Sequence, residues 1–184
     1  MIPLITHTPR LLLVAASRAL LTALRQKPRY FPVLLGAALP AHWPPATYGP
    51  DTQQRQLDAL TAGGRNAAGW HGWFALRKAD DAAPRTLVGV GSFQGPPDAA
   101  GTAELHFAVA EDWRGQGLGT ELLAGLVQQA EATGQVRQLR AHPAPDNAAA
   151  QQVLRRNGFA ELPAPDGRLC FGRNIESKPP APAN

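Results

Sequence analysis

Glu104-Leu105-His106-Phe107-Ala108-Val109-Ala110-Glu111-Asp112-Trp113-Arg114-Gly115-Gln116-Gly117-Leu118-Gly119-Thr120 is the stretch on which the reading of this chain turns. Its first part alternates, with Leu105, Phe107 and Val109 on one side and Glu104, His106 and Ala108 on the other. That is the period of a strand with one face in a core. After the glycines the period becomes helical: Leu118, Leu122, Leu123, Leu126, Val127 and Ala130 recur every three or four residues, while Gln128, Gln129 and Glu131 face outward. The glycines therefore mark the handover from a strand to a helix N-terminus.

A helix start has main-chain N–H groups without intrahelical partners and carries partial positive charge. Gly115, Gly117 and Gly119 have no side chains to keep an anion off that backbone, and Arg114 adds a cation suited to phosphate oxygens. The pattern reads as a diphosphate cradle running from Arg114 through Gly115, Gln116, Gly117, Leu118 and Gly119 to Thr120. A glycine-rich turn without a ligand is the simpler alternative. No Lys follows as a Walker loop requires, and the Gly-x-Gly-x-Gly spacing is not the dinucleotide fingerprint.

Arg114-x-x-Gly117-x-Gly119 after a strand resembles the acetyl-CoA site of the GNAT superfamily of N-acyltransferases. A second segment, Asn147 to Asn157-Gly158-Phe159, resembles that family's later helix and stands in the family's order. The opening Thr8-Pro9-Arg10-Leu11-Leu12-Leu13 is similar to the ribosomal-protein N-terminal acetyltransferase branch. The resemblance implies a mixed α/β fold, with a mostly antiparallel sheet splayed at a bulged strand and flanked by helices. It implies acetyl-CoA as the donor, bonded through the main chain of Phe107, Ala108 and Val109 and by Asn147, and a primary amine as the acceptor. One main-chain donor at the developing negative charge, here the Val109 N–H, is worth about 3 kcal/mol in enzymes that rely on it.

An α-amine is about one-tenth neutral at pH 7, so a modest base suffices. Glu104 is the first candidate, because it shares a face with His106 on an otherwise apolar strand. His142, at the end of the next strand, is the second. Each also has an ordinary reading, as a solvated carboxylate and a turn histidine. Two positions depart from the family: Leu154 stands where many members carry a Tyr that protonates the leaving thiolate, and Ala150 where the ribosomal-protein branch carries a Ser. A degenerate acyl-CoA-binding sensor is therefore the competing reading. His42, Trp43 and Trp73 are expected on the acceptor wall, with aromatic core packing as the alternative.

Composition bounds the rest. The 184 residues fit one domain, assigned to 1–174, with a Pro/Ala-rich disordered tail at 175–184. The charge of +4 and pI near 9.8 suit an anionic ligand, but the 18 Lys and Arg are scattered, so nucleic-acid binding is not favoured. A single cysteine fits a reducing, cytoplasmic setting. Arg18 and Arg25 interrupt the apolar run at Leu11–Ala16, and no stretch approaches ~20 apolar residues, so no membrane partner is expected. No metal site is read, and homodimerisation is left open. The expected elements are strands at Arg10–Ala15, Trp70–Lys78, Arg85–Phe93, the Glu104 stretch, Val136–His142, Phe159–Leu162 and Arg168–Arg173. Helices are expected at Ser17–Gln26, Asp51–Ala62, after the glycines and at Asp146–Asn157.

Overall fold

The computed structural model describes residues 4–163 and 167–176. Its strands are β1 (Ile5–His7), β2 (Leu11–Ala15), β3 (Trp73–Arg77), β4 (Thr86–Phe93), β5 (Thr102–Val109), β6 (Gln138–Ala141), β7 (Ala160–Leu162) and β8 (Cys170–Asn174). The helices are α1 (Arg18–Gln26), α2 (Phe31–Leu35), α3 (Pro50–Gly63), α4 (Leu118–Thr133) and α5 (Ala148–Arg156). The strands form one sheet in the order β1-β2-β3-β4-β5-β6-β8-β7. Every pairing is antiparallel except β5 with β6, as expected for two strands joined through a helix.

Alternation along β2 sends side chains to two separate cores. Leu11, Leu13 and Ala15 join α4 and α5 on one face, while Leu12 and Val14 join α1, α2 and α3 on the other. Helix α4 is seated by Leu122, Leu123 and Leu126, none more than 1% exposed, each contributing about 1.5–3 kcal/mol of apolar burial. That packing fixes where the glycine turn lies relative to β5.

Several local expectations change. Strand β1 is too short for its alternation to be read. Helix α3 is capped by Gly49 and starts at Pro50, one residue before the expected Asp51. Strand β3 starts at Trp73 rather than Trp70, and Gln129 is buried rather than outward. Ser17 does cap α1, its hydroxyl accepting from the Leu20 N–H at 3.2 Å. Ile175, placed in the tail by composition, is buried, and its N–H donates to the Arg137 carbonyl at 2.8 Å. The remainder of the expected tail, 177–184, lies outside the described residues.

The sheet opens at β5. Its parallel pairing with β6 covers only Thr102–Glu104 against Gln138–Arg140, whereas its antiparallel pairing with β4 continues to Val109. The two strands part without a bulge: the β4–β5 register runs unbroken, and the register shift lies between Ala75 and Leu76 in the β3–β4 pair. Pro143, just past β6, has no N–H to extend the ladder.

Candidate active site

Because the Gln94 N–H donates to the Glu104 carbonyl and the Ala110 N–H to the Val88 carbonyl, the even-numbered residues of β5 bond to β4. The main-chain groups of Phe107 and Val109 therefore turn to the other edge, beyond the last residue that β6 pairs. This leaves main-chain donors and acceptors along the gap between the parted strands. The gap opens into a cleft of about 680 Å³ whose lining includes Phe107, Ala108, His142, Pro143 and Asn147.

The cradle follows directly. Gly115 and Gly117 have φ of 75° and 77°, a region that glycine enters without penalty. Gly117 caps α4 with no side-chain hydrogen bond, so the first-turn N–H groups of α4 receive none from the cap. Gly119 packs against Val109 and Val153, bringing the helix start against the end of β5 and against α5. Leu118 belongs to the core, and Thr120 is half-buried with its carbonyl accepting from Asn157 Nδ2 at 3.2 Å. Arg114 is exposed and folds back, its Nε donating to the Val109 carbonyl at 3.4 Å.

Two residues that sequence reading overlooked organise this turn. Arg10 donates through Nη1 to the Gln116 carbonyl (3.0 Å) and through Nε to Glu121 (2.7 Å), on the first turn of α4. Glu121 also accepts from the Thr8 hydroxyl and the Arg10 N–H, both at 2.6 Å. Desolvation works against the Glu121 carboxylate, but these donors together hold it below its usual pKa.

On the α3 side, the His142 Nδ1–H donates to the Leu169 carbonyl at 3.2 Å, which leaves Nε2 without a proton in the neutral ring. That nitrogen lies 3.7 Å from Glu104 Oε1. Gln94 Nε2 donates to Glu104 Oε2 at 3.2 Å and also to the His106 ring. Desolvation lowers the His106 pKa, with Glu104 opposing it and His142 and Arg55 adding to it. Glu104 and His142 are thus brought together, with the histidine on the cleft wall and the carboxylate beside it. Asn147 both lines the cleft and caps α5, accepting from the Ala150 N–H at 3.0 Å through Oδ1; its amide donors take no part in the cap.

The three residues expected on the acceptor wall do not line this cleft. Trp73 is 1% exposed, and its Nε1 donates to the Gly69 carbonyl, because β3 is central and covered on both faces. Trp43 packs on the second core beside Tyr48, and His42 is held by Asp112 at 2.6 Å; none of the three lines the cleft. The cleft is lined on that side by Thr52, Arg55, Gln56 and Ala59 of α3, with His71 and Ser92. The spacing of those four α3 residues places them on one helix face, a signal visible in sequence only once that face is known to border a site. Leu154 and Ala150, at the two positions that depart from the family pattern, line the cleft and offer no acidic proton.

Comparison with known proteins agrees with this architecture. The family model described as "Acetyltransferase (GNAT) domain" matches residues 10–160. Among solved structures, RimL, the ribosomal L7/L12 alpha-N-protein acetyltransferase in complex with coenzyme A, superposes with a TM-score of 0.63 at 20% identity. The match covers 96% of this chain and 99% of that one. The yncA protein of Salmonella typhimurium with its cofactor acetyl-CoA gives 0.58 at 19%, covering 95% and 98%. The microcin C7 self-immunity acetyltransferase MccE, in complex with acetyl-CoA and AMP, gives 0.58 at 16%, covering 91% and 94%. At these identities the likeness establishes the fold. No curated protein matches the chain.

Proposed function

The chain belongs to the GNAT acetyltransferase family and is an N-acetyltransferase with acetyl-CoA as its donor; from that premise we propose how its own residues bind the donor and act on a primary amine. The observation that carries the reading is the parting of β5 from β6 beside the glycine turn. It supports a donor whose diphosphate meets the N–H groups from Gly115 to Thr120 and whose pantetheine arm lies along Phe107, Ala108 and Val109. Bound there, acetyl-CoA supplies an electrophilic acyl carbon. The Val109 N–H, turned away from β4, is the candidate donor to the acyl oxygen.

The acceptor approaches from the α3 side. His142 is the better placed base, because its Nδ1–H is fixed on Leu169 and its Nε2 is left to take a proton from the amine. Glu104 sets a negative charge beside that nitrogen and is itself oriented by Gln94. The imidazole is then the base, and Glu104 is a positioning residue. Arg114, with its side chain on the Val109 carbonyl, braces the end of β5 and adds charge for the phosphates. The donor and the lone cysteine fit a reducing, cytoplasmic setting.

Rate–pH profiles test the assignment. His142→Gln should lower the rate about a hundredfold and reduce the acidic limb of kcat/KM from two protons, one on the base and one on the amine, to the amine's alone. Glu104→Gln should lower the rate less and leave the two-proton limb. If His142→Gln keeps the wild-type limb, the histidine is not the base. With apolar Leu154 and Ala150 facing the cleft, the sensor reading retains one specific support. Coenzyme A binding without thiol release across a panel of amines, N-terminal peptides included, would favour it over the enzyme.

A further inference from the structure

Arg55 is the residue with a permanent charge among those that line the cleft. It projects from α3 on the same face as Thr52, Gln56 and Ala59, and thus belongs to the acceptor wall rather than to the cradle. Its guanidinium donates to Thr52 Oγ1 at 3.0 Å, and among the described residues it meets no carboxylate within ion-pair distance. A guanidinium has five N–H donors, so most of its capacity remains for a ligand.

The rest of the wall supplies no carboxylate to a polycation. Its polar members are hydroxyls, amides and imidazoles, and Glu104, the nearby carboxylate, is already engaged by Gln94 and His142. Tyr48 keeps its proton, because burial raises the phenol and its hydroxyl donates to Gln56 Oε1 at 2.9 Å. The Arg55 charge also reaches the site, since it is one of the influences that disfavour the charged form of His106. An entering ammonium would feel the same repulsion, whereas an anionic group on the acceptor would cancel it.

We propose that Arg55 selects as acetyl acceptor a primary amine carrying an anionic group, a carboxylate or a phosphate, near the reacting nitrogen. The inference rests on the cleft being the acceptor site. Guanidinium binds planar or tetrahedral oxyanions through paired N–H donors, so carboxylate and phosphate share the chemistry. A diamine or polyamine would place a second cation beside Arg55, where no lining residue is a carboxylate.

The test is thiol release at fixed acetyl-CoA with acceptors matched except for charge. One arm uses peptides whose second residue is Asp, Asn or Lys after a common N-terminal Ser. A second compares serine with serinamide, and a third compares phosphoethanolamine with ethanolamine. The wild type should prefer the anionic member of at least one arm by about fivefold in kcat/KM, and the arm that responds names the source of the charge. Arg55→Gln should flatten that ratio and Arg55→Glu should invert it, a change that a merely structural role of Arg55 would not produce. Equal rates across every charge series in the wild type, or the same order in Arg55→Glu, would overturn the inference while leaving the acetyltransferase reading intact. No turnover in any arm, with coenzyme A still bound, would bring down the acceptor-site reading and this inference with it.

Discussion

Replacing Gly117 by Ala isolates the cradle's backbone from its charges. The residue has φ 77° and ψ 1°, and an added Cβ would meet only Arg10 Nη2, at 3.5 Å, an ordinary contact. The perturbation is therefore conformational, about 1–2 kcal/mol for a side chain in the left-handed region. Arg10 holds the Gln116 carbonyl, and in a planar trans peptide the Gly117 N–H points the opposite way. If the Gly117→Ala variant keeps that geometry, the strain appears as lost stability, a fall of about 2–8 °C in Tm for a chain of this size. If its unliganded turn relaxes to negative φ, the ligand must restore it, and Kd rises up to about 5–30-fold. Gly36→Ala is the control, because Gly36 has φ 66° with nothing within 4 Å of its would-be Cβ and ends α2 rather than starting α4. It should lower Tm alone. Calorimetry with coenzyme A and thermal melts of both variants decide the matter. Equal losses of affinity in the two variants, or no change in either quantity for Gly117→Ala, would show that the left-handed backbone at Gly117 does not shape the donor site.

The Arg10–Glu121 clamp gives an expectation of sign: Glu121→Gln should weaken coenzyme A binding by loosening Gln116, whereas a mere removal of negative charge near a diphosphate would strengthen it, and calorimetry separates the two. Asn147→Ala should cost about 1 kcal/mol through the lost cap of α5, a Tm fall of about 2–4 °C, while Asn147→Asp keeps most of that stability. His71 and His106 are both held below the usual histidine value, chiefly by burial. The unfolded chain therefore takes up protons first as pH falls below about 6.5, and stability declines from there until the folded-state values are passed. The Tm drop between pH 7 and pH 5 should be shallower in a His71→Asn, His106→Asn double variant.

What sequence made legible was local. Alternation in β5, the glycines and the helical period of α4 lie within one continuous stretch, so a reader can place a cradle between strand and helix without knowing the sheet. The strand–helix–strand order fits the parallel β5–β6 pair, and the expected strands at Phe159–Leu162 and Arg168–Arg173 overlap the antiparallel β7 and β8. What escaped depends on packing between distant segments. Arg10 meets Gln116 and Glu121 across more than a hundred residues, and nothing near Arg10 announces them. Trp43 and Trp73 were attractive as wall residues because aromatics serve both cores and sites, and only the central position of β3 settles Trp73 as core. Arg55, Gln94 and His71 line one cleft although α3, the approach to β3 and the end of β4 lie apart in sequence, a placement that amphipathic period alone does not specify.

Titrating coenzyme A into ¹⁵N-labelled protein and following the main-chain amides shows where on the backbone the donor lies. The largest shifts should fall at Gly115, Gly117 and Gly119, with Phe107 and Val109 moving and the Gly36 amide still. Shifts concentrated away from the glycine turn and the open edge of β5 would contradict that placement.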